Sequence, residues 1–351
     1  MKGFGFLSFG HYQHGSTVGT AEMIRQAVDI GVGADELGVN GAYFRVHHFA
    51  TQQASPMPLL SAIAAKTRGI EVGTGVIDMR YENPLYLAEE AAALDILTDQ
   101  RIALGISRGS PEPADRGWES FGYTGSTDPR GSDIARDKFE LFLRAIDGDG
   151  VAPAASGGPA LPIEPRSPGL RERIWWGSGS ANTAEWTGRQ GLNMMSSTLV
   201  FSDEARPLHE VQYEQIERYR VAYADAGFTR PSRVSVSRSI FPIASADDAQ
   251  MFAILGAREG RDGFGSIDGK TATFGKTYVG EPDQLVAALR ADTAVMAADT
   301  LMITIPSQLG VDFNLRVLES FARHVAPELG WQPNTAGPVT GYPAAVAQPA
   351  D

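Results

Sequence analysis

Hydrophobic and polar residues follow two alternating patterns along the chain. Short apolar runs, typical of strands buried on both faces, alternate with longer stretches in which apolar residues recur every three or four positions, as in amphipathic helices. In residues 20–37, for example, Ala21, Ile24, Ala27 and Val28 fall on one helical face. The patterns predict strands at 3–9, 41–46, 70–76, 101–109, 173–176, 192–195, 234–241 and 300–304. They predict helices at 20–37, 56–66, 84–97, 134–146, 181–190, 204–226, 247–255, 282–291 and 313–325.

Strands that alternate with helices indicate an α/β fold with a parallel sheet, and eight strands favour a closed (β/α)8 TIM barrel. An open, doubly wound sheet is the alternative. We expect one domain over residues 1–331, with insertions at about 110–133 and 147–168. The polar, glycine-rich segment 258–277 is expected to be a mobile lid rather than a packed element. The Ala- and Pro-rich segment 332–351 is expected to be a loose tail.

Composition and charge exclude several classes of function. The formal net charge of −12 argues against a surface for nucleic acid or anionic membranes, although a local pocket for one small anion is still allowed. The absence of cysteine excludes disulfides, thiolate metal sites and a cysteine nucleophile, and it is compatible with a cytoplasmic protein. The apolar run at 4–9 is too short for a signal-peptide core, and no apolar run is long enough to span a bilayer.

A charged turn follows the buried strand at 101–109. Its apolar run, 102–106, gives way at once to Ser107, Arg108 and Gly109. An α/β barrel places its ligand-binding groups at the carboxyl ends of strands, and the planar guanidinium group of an arginine suits a phosphate. The alternative is a surface arginine that forms a salt bridge with a neighbouring helix.

A second candidate phosphate-binding turn, GSGS at 177–180, leads into the helix at 181–190. The free N–H groups at a helix start, together with the hydroxyl groups of Ser180 and Thr183, can hold a phosphate. Alternatively, Ser180 is simply the N-cap of the helix. The stretch is neither a Walker loop nor a GxGxxG motif.

Arg136 lies near the start of the helix predicted at 134–146. Arg108, Arg136 and the turn at 177–180 therefore predict one phosphate site built from features on separate strand-to-helix loops. Three such features together are more specific than any one of them alone.

Two histidines and a glycine complete the candidate chemistry. Because adjacent strand residues point to opposite sides, at most one of His47 and His48 is expected to face the central pocket. A histidine there can act as a general base near neutral pH, whereas the alternative is a loop histidine bonded to the backbone. No acidic neighbour has ligand spacing, so no metal site is predicted. Gly75, between Thr74 and Val76, either lets a flat ligand approach the backbone or accommodates a tight turn.

These stretches resemble the luciferase-like flavin-dependent monooxygenase superfamily, which includes the alpha subunit of bacterial luciferase. The order and spacing of the matching stretches are preserved over most of the chain. They are YFRVHHF at 43–49, VGTGVI at 72–77, NPLYLAEEAAALDILTD at 83–99, RIALGISRG at 101–109 and SGSANTAEW at 178–186.

The resemblance implies a luciferase-like barrel that binds reduced FMN at the carboxyl ends of its strands. It implies a catalytic histidine pair, and His47 in particular as the first histidine of HHF. It also implies a flavin ring over the Gly75–Val76 peptide bond, which is often cis in the family. The implied cofactor-binding residues are Gly75, Val76, Ser107, Arg108, Arg136, Ser178, Gly179, Ser180 and Thr183.

The implied reaction is the oxygenation of a small, apolar organic substrate by O2, through a flavin peroxide, with reduced FMN supplied by a separate flavin reductase. His47 would act as a base or hydrogen-bond partner. One alternative is a deazaflavin (coenzyme F420)-dependent hydride-transfer oxidoreductase on the same barrel, because relatives of that kind share the GTGV segment. The other is a non-catalytic flavin-binding partner subunit. The family commonly forms homodimers, and the Ala-rich face of 87–94 either packs against a copy of itself or simply covers the barrel.

Three positions depart from luciferase. Ser107 replaces a reactive cysteine, Val46 replaces an acidic residue before the histidines, and Gly179 replaces an acidic residue in the phosphate turn. These departures put light emission in doubt, but not flavin binding. The non-catalytic beta subunit of luciferase lacks the counterparts of His47 and Arg108, so their presence here favours an active chain.

Overall fold

The computed structural model describes residues 3–15, 19–109, 113–252, 262–267 and 269–335. The strands are β1 (Gly3–Ser8), β2 (Gly41–Phe44), β3 (Glu71–Thr74), β4 (Ile77–Asp78), β5 (Ile102–Ser107), β6 (Ile174–Ser178), β7 (Asn193–Ser196), β8 (Leu199–Ser202), β9 (Val234–Pro242), β10 (Gly263–Ile267), β11 (Lys270–Phe274), β12 (Thr277–Gly280) and β13 (Thr300–Ile305). The helices are α1 (Thr20–Glu36), α2 (Pro56–Ala64), α3 (Pro84–Leu97), α4 (Ser132–Asp147), α5 (Ala181–Arg189), α6 (Leu208–Asp225), α7 (Ala246–Phe252), α8 (Pro282–Arg290), α9 (Thr293–Ala297) and α10 (Val311–His324).

Eight of the strands close into a parallel barrel in the order β1-β2-β3-β5-β6-β7-β9-β13. β13 pairs with β1, and β7 pairs with β9, so the ring has no open edge. The short strands β4 and β12 pair beside β5 and β9. The predicted (β/α)8 TIM barrel is therefore confirmed, and the open doubly wound sheet is wrong.

Alternation along the strands separates the barrel interior from the layer beneath the helices. Tyr43, Ala103, Trp175 and Met302, from four different strands, belong to one buried interior cluster. Trp176, the next residue after Trp175, belongs instead to the large core between barrel and helices. The two adjacent tryptophans thus serve different layers, and Trp176 is directed towards α4 and α5.

A small antiparallel sheet lies beside the barrel, and the sequence did not predict it. β11 pairs with β8 on one side and with β10 on the other. Ala272 and Thr273 are fully buried there. The expectation that 258–277 lacks packed elements is therefore wrong for β10 and β11, while residues 258–261 and 268 lie outside the described residues.

The predicted insertions and tail make specific contacts with the barrel and helices. In the 147–168 segment, Ser167 donates a 2.5 Å hydrogen bond to Asp95 of α3. Asn334, within the segment predicted as a loose tail, donates hydrogen bonds to the carbonyl oxygens of Gly38 and Gly69. Residues 336–351, and residues 253–255 of the helix predicted at 247–255, lie outside the described residues. No helix of the described chain combines the length and the apolar character needed to cross a membrane.

Candidate active site

A cavity of about 220 Å³ opens at the carboxyl ends of β5 and β6, where both strands lead into loops. Its lining residues are Arg108, Arg136, Trp176, Ser180, Asn182, Thr183 and Trp186. The structure therefore brings together the three features that the sequence singled out for phosphate binding: Arg108, Arg136 and the turn before α5.

Arg108 enters the cavity from the turn that directly follows β5. The Oγ atom of Ser107 accepts a 3.1 Å hydrogen bond from the N–H of Gly109, which closes the turn. Gly109 has a φ of 92°, a left-handed conformation that glycine adopts without strain. The strand end and this turn thus determine where the Arg108 side chain leaves the backbone.

The start of α5 forms the second wall of the cavity. Ser180 is the N-cap residue: its Oγ atom accepts a 3.4 Å hydrogen bond from the N–H of Thr183 and lies 3.0 Å from the Thr183 hydroxyl oxygen. A helix N-terminus carries partial positive charge and N–H donors, both of which attract anions. Ser180 is therefore an N-cap and also lines the cavity, so the two interpretations of this residue are compatible.

Ser178 and Gly179 stabilise this turn through hydrogen bonds. Ser178 is fully buried and donates a 3.3 Å hydrogen bond to the carbonyl oxygen of Ser180. The carbonyl oxygen of Gly179 accepts a 2.8 Å hydrogen bond from the N–H of Phe201 in β8. The small antiparallel sheet thus supports the turn that precedes α5, although neither Ser178 nor Gly179 is among the residues lining the cavity.

Two positive charges share the cavity. Partial burial lowers the pKa of Arg108, the nearby Arg136 cation lowers it further, and Asp128 partly opposes these effects. Within the described parts of the chain, neither Arg108 nor Arg136 forms an ion pair with a carboxylate, and the lining residues include no acid. Two guanidinium groups and a helix N-terminus that line one cavity, with no carboxylate among the described lining residues, are suited to a doubly charged anion.

Aromatic rings form the rest of the wall. The ring centres of Trp176 and Trp186 lie 4.8 Å apart, and that of Phe139 lies 4.6 Å from Trp176. The Arg136 guanidinium lies 5.8 Å from the centre of the Trp186 ring, within range of a cation–π contact. Neither Trp186 nor Asn182 was predicted as a site residue, although both fall within the SGSANTAEW stretch.

Next to the cavity, the top of the barrel interior is shaped for a flat group. The Gly75–Val76 peptide bond is cis. A Cβ atom added to Gly177 would lie 3.3 Å from both the Cβ of Ser107 and Cγ1 of Val76. The ends of β5 and β6 and the loop after β3 therefore pack closely here, with little room for a side chain at 177. Ser107 precedes Arg108 in the chain, and Gly177 of β6 precedes the turn to Ser180, so this region adjoins the residues that line the cavity, and the residues present fit a phosphorylated ring system.

The two predicted catalytic histidines have different neighbours, and neither lines the cavity. The ring of His48 stacks on Tyr81, with centres 4.2 Å apart, and meets the edge of Phe121 at 5.2 Å. The backbone N–H of His47 donates a 2.9 Å hydrogen bond to the carbonyl oxygen of Gln53, and its side chain is 7% exposed. The charge of His47 acts on His11, which follows β1.

Those groups form a second polar cluster at the mouth of the barrel. His11 stacks on Phe9, with ring centres 5.5 Å apart, and Phe9 packs against the interior cluster together with Val76. Burial, followed by the charges of Arg45 and His47, lowers the pKa of His11. The sequence did not single out His11, because a lone histidine after the first strand matches no motif. In the described chain, no group of three or more His, Asp or Glu side chains is arranged to hold a metal ion.

Fold and site define a TIM-barrel protein with a cavity lined by two arginines at the carboxyl ends of its strands. The sequence profile of the luciferase-like monooxygenase family matches residues 1–276, and the chain belongs to this family.

Two relatives show the range of similarity. The chain is 37% identical over 109 residues to an uncharacterised protein, y4wF, of Sinorhizobium fredii, covering 30% of this chain and 32% of that protein. It is 26% identical over 184 residues to the oxygenase component of flavin-dependent trigonelline monooxygenase from Acinetobacter baylyi, covering 49% and 48%. The matched stretches thus span less than half the length of either relative.

Solved structures share the whole fold at low sequence identity. The oxygenating constituent of 3,6-diketocamphane monooxygenase from Pseudomonas putida, in complex with FMN, aligns with a TM-score of 0.70 at 16% identity, over 93% of this chain and 98% of that one. The coenzyme F420-dependent tetrahydromethanopterin reductase from Methanopyrus kandleri aligns with a TM-score of 0.64 at 14% identity, over 93% and 99%. The barrel itself is therefore common to enzymes that use either cofactor.

Proposed function

We propose that this chain is the oxygenase component of a flavin-dependent monooxygenase, which uses reduced FMN and O2 to oxygenate a small, apolar organic substrate. The observation that carries the proposal is the cavity in which Arg108, Arg136 and the N-terminus of α5 converge without a carboxylate among its lining residues. We infer the class of reaction from family membership, and we assign recognition of the cofactor to this cavity.

The charge of the cavity favours FMN over a deazaflavin. A phosphate monoester carries about 1.5 to 2 negative charges near pH 7, whereas the phosphodiester of coenzyme F420 carries one. Two arginines and a helix N-terminus match the monoester more closely. F420-dependent hydride transfer remains the second candidate, since an F420-dependent reductase shares the fold.

Different residues of the site would bind the phosphate and the ring of the cofactor. Arg108, Arg136, Ser180 and Thr183 would hold the phosphate, and the surface formed by Val76, Ser107 and Gly177 would carry the ring. When bound, reduced flavin supplies the electrons that activate O2. The protein orients the cofactor, excludes water from it and handles protons beside it.

His47 is the proposed base or hydrogen-bond partner for the substrate. Its side chain is mostly buried at the barrel mouth, close enough to His11 to influence the pKa of that residue. His48, whose ring stacks on Tyr81, is assigned a supporting role in the aromatic cluster next to His47. Both residues belong to the proposed catalytic pair, with the proton-handling role given to His47.

The oxygenase also needs a source of reduced FMN, which we assign to a separate flavin reductase. A homodimer is supported by α3, which is apolar around much of its circumference and leaves Tyr86 68% and Leu97 73% exposed. Such residues on a helix that also covers the barrel are suited to a second copy of the chain.

Substitution of His47 tests the proposed reaction. The assay supplies a flavin reductase, FMN and isotopically labelled O2, and mass spectrometry measures label in a panel of apolar organic compounds. We expect His47→Ala to bind FMN nearly as well as the wild type but to lose most of the label incorporation. His324→Ala, at the exposed end of α10, is the matched control and should retain it. Full incorporation by His47→Ala would remove His47 from the mechanism.

A further inference from the structure

We propose that the Asp78–Arg80 ion pair is the positioning device of the phosphate site, and that it fixes Arg108 relative to Arg136. The inference rests on the proposed function, because it assigns a role within the same site. Arg80 is a positioning residue, since it acts through the turn after β5 and the start of α4 and is not among the residues that line the cavity.

The ion pair is buried and joined by several bonds. The side chains of Arg80 and Asp78 are 6% and 5% exposed. Nε of Arg80 donates hydrogen bonds of 3.0 Å to both carboxylate oxygens of Asp78, and Nη2 donates one of 2.5 Å. The backbone N–H of Arg80 donates to the same carboxylate at 3.0 Å. The guanidinium plane is thereby fixed relative to β4, which pairs with β5.

One side of this guanidinium packs on the turn that carries Arg108. A Cβ atom added to Gly109 would lie 2.3 Å from both Nε and Nη2 of Arg80, so the guanidinium occupies the space that a side chain at 109 would need. Glycine is thus required at 109 by close approach as well as by its φ of 92°. Arg80 forms the support against which the Arg108 turn rests.

Other atoms of Arg80 contact the start of α4, the helix that carries Arg136. Nη1 donates a 3.0 Å hydrogen bond to the carbonyl oxygen of Arg130, directly before the N-cap Gly131. The guanidinium also lies 4.6 Å from the ring centre of Trp118, which packs against Gly131. In return, Nζ of Lys138, one half-turn beyond Arg136, donates a 2.6 Å hydrogen bond to the carbonyl oxygen of Arg80. Arg80 therefore bonds to the chain on both sides of Arg136: to Arg130, just before α4, and to Lys138, within it.

This arrangement addresses a physical problem of the site. Arg108 and Arg136 are two like charges that line one cavity, and burial, followed by the charge of Arg136, lowers the pKa of Arg108. The cavity therefore needs a scaffold that holds both cations near one phosphate. The planar fork of Arg80 reaches the Asp78 carboxylate, the Arg130 carbonyl and the Gly109 backbone at the same time. The compact ammonium group of a lysine lacks that planar reach.

Substitution by lysine tests the role, because the charge opposite Asp78 is kept while the fork is lost. Affinities of reduced FMN and of reduced riboflavin, which has the same ring system but no phosphate, are measured under anaerobic conditions. We expect Arg80→Lys to weaken FMN binding about tenfold, the usual scale for a residue that orients ligand-binding groups, and to leave riboflavin binding unchanged. With FMN at saturation, kcat should stay close to the wild-type value. Arg80→Met should enlarge the loss of FMN affinity.

Arg173→Lys is the matched control. Arg173 forms an equally buried fork with Asp95, with hydrogen bonds of 2.8 and 2.6 Å, at the opposite end of the barrel. Its substitution should lower the melting temperature but leave the ratio of FMN to riboflavin affinity unchanged. The positioning role would be overturned if a folded Arg80→Lys protein kept the wild-type ratio of FMN to riboflavin affinity. It would also be overturned if Arg173→Lys changed that ratio by the same factor. A wild type that binds FMN no better than riboflavin would overturn the proposed phosphate site itself.

Discussion

The arginines that line the cavity differ in their partners from the arginines at the amino-terminal end of the barrel. At the amino-terminal end, Arg233 forms an ion pair with Glu71 at 2.7 Å, inside the barrel. Arg173 forms its fork with Asp95. Among the described residues, Arg101 pairs with no carboxylate, but its side chain donates five hydrogen bonds, to the carbonyl oxygens of residues 64, 67, 70 and 98 and to the hydroxyl of Thr67.

At the carboxyl-terminal end, Arg108 and Arg136 line a cavity together. Within the described chain, neither forms an ion pair. Arg80, which is fully bonded, lies directly behind them. The same residue type therefore occurs in two states: bonded where it holds elements together, and without a carboxylate partner where a ligand would provide one.

The difference shows which charges serve the fold and which serve binding. Removing one partner of a buried pair leaves the other charge uncompensated, which is costly. Removing one of two neighbouring cations relieves the repulsion between them, so the stability of the fold is hardly affected. The loss appears instead in the affinity for a ligand. Stability and cofactor affinity should consequently respond to substitutions at opposite ends of the barrel.

The largest expected effect concerns stability at the amino-terminal end. Arg233→Met should lower the free energy of unfolding by about 3 to 5 kcal/mol, because it leaves Glu71 charged and buried. Arg108→Met should change it by less than about 0.5 kcal/mol, as is usual for a side chain away from the core. Urea denaturation of both variants measures the two values. Equal losses of stability would contradict the distinction between the two ends.

The second effect concerns cofactor affinity at the carboxyl-terminal end. Arg108→Met and Arg136→Met should each lose about 1.5 to 3 kcal/mol of FMN binding, the value of a hydrogen bond to a charged group. Riboflavin binding should hardly change in either variant. Arg189→Met, in the last turn of α5, removes an exposed arginine paired with Glu185 and is the control. Fluorescence titration measures these affinities, and a loss as large in Arg189→Met would mean that the effect is one of general charge.

A smaller effect should appear with inorganic phosphate alone. An anion that binds the folded state at ten times its Kd stabilises it by about 1.4 kcal/mol. Phosphate should therefore raise the melting temperature of the wild type above that in chloride at equal ionic strength, and Arg136→Met should abolish the difference. A shift that persists in this variant would place the anion elsewhere.

A pH dependence of stability is expected near the same end. Burial, and then the carboxylates of Glu90 and Asp78, raise the pKa of Glu82 to about 7 from an ordinary value of 4.5. The folded state thus keeps a proton that the unfolded chain has already released. The free energy of unfolding should fall as pH rises from about 4.5 to about 7 and then level off. Glu82→Gln should flatten this part of the profile, and an unchanged slope in denaturation series would assign the dependence to another group.

Much of this architecture could be predicted from the sequence. The eight strands were visible because each is an apolar run that ends at a turn signal. Arg108 and Ser180 lie directly after such runs, and Arg136 lies near the start of the helix that follows the fourth of them. Parallel strands bring their carboxyl ends to one side of the barrel, so residues far apart in sequence meet there. The convergence of these residues on one cavity follows from topology alone.

Other features depended on contacts that no local pattern contains. β10 is mostly exposed and rich in glycine, so it lacks the alternation that marks a half-buried strand, and only its pairing with β11 creates it. Trp176 belongs to the cavity because it faces outward from β6 between α4 and α5, whereas its neighbour Trp175 faces inward. Arg80 bonds to segments up to 58 residues away in sequence, which no spacing rule reveals.

An anaerobic titration of the wild-type protein with reduced FMN, beside reduced coenzyme F420 and reduced riboflavin, tests most directly whether the cations at the carboxyl-terminal end serve a phosphate monoester. We predict that reduced FMN binds more tightly than either of the others, and that admission of O2 then reoxidises the bound flavin with kinetics that differ from those of free flavin. Tighter binding of F420 than of FMN, or equal binding of FMN and riboflavin, would contradict this assignment.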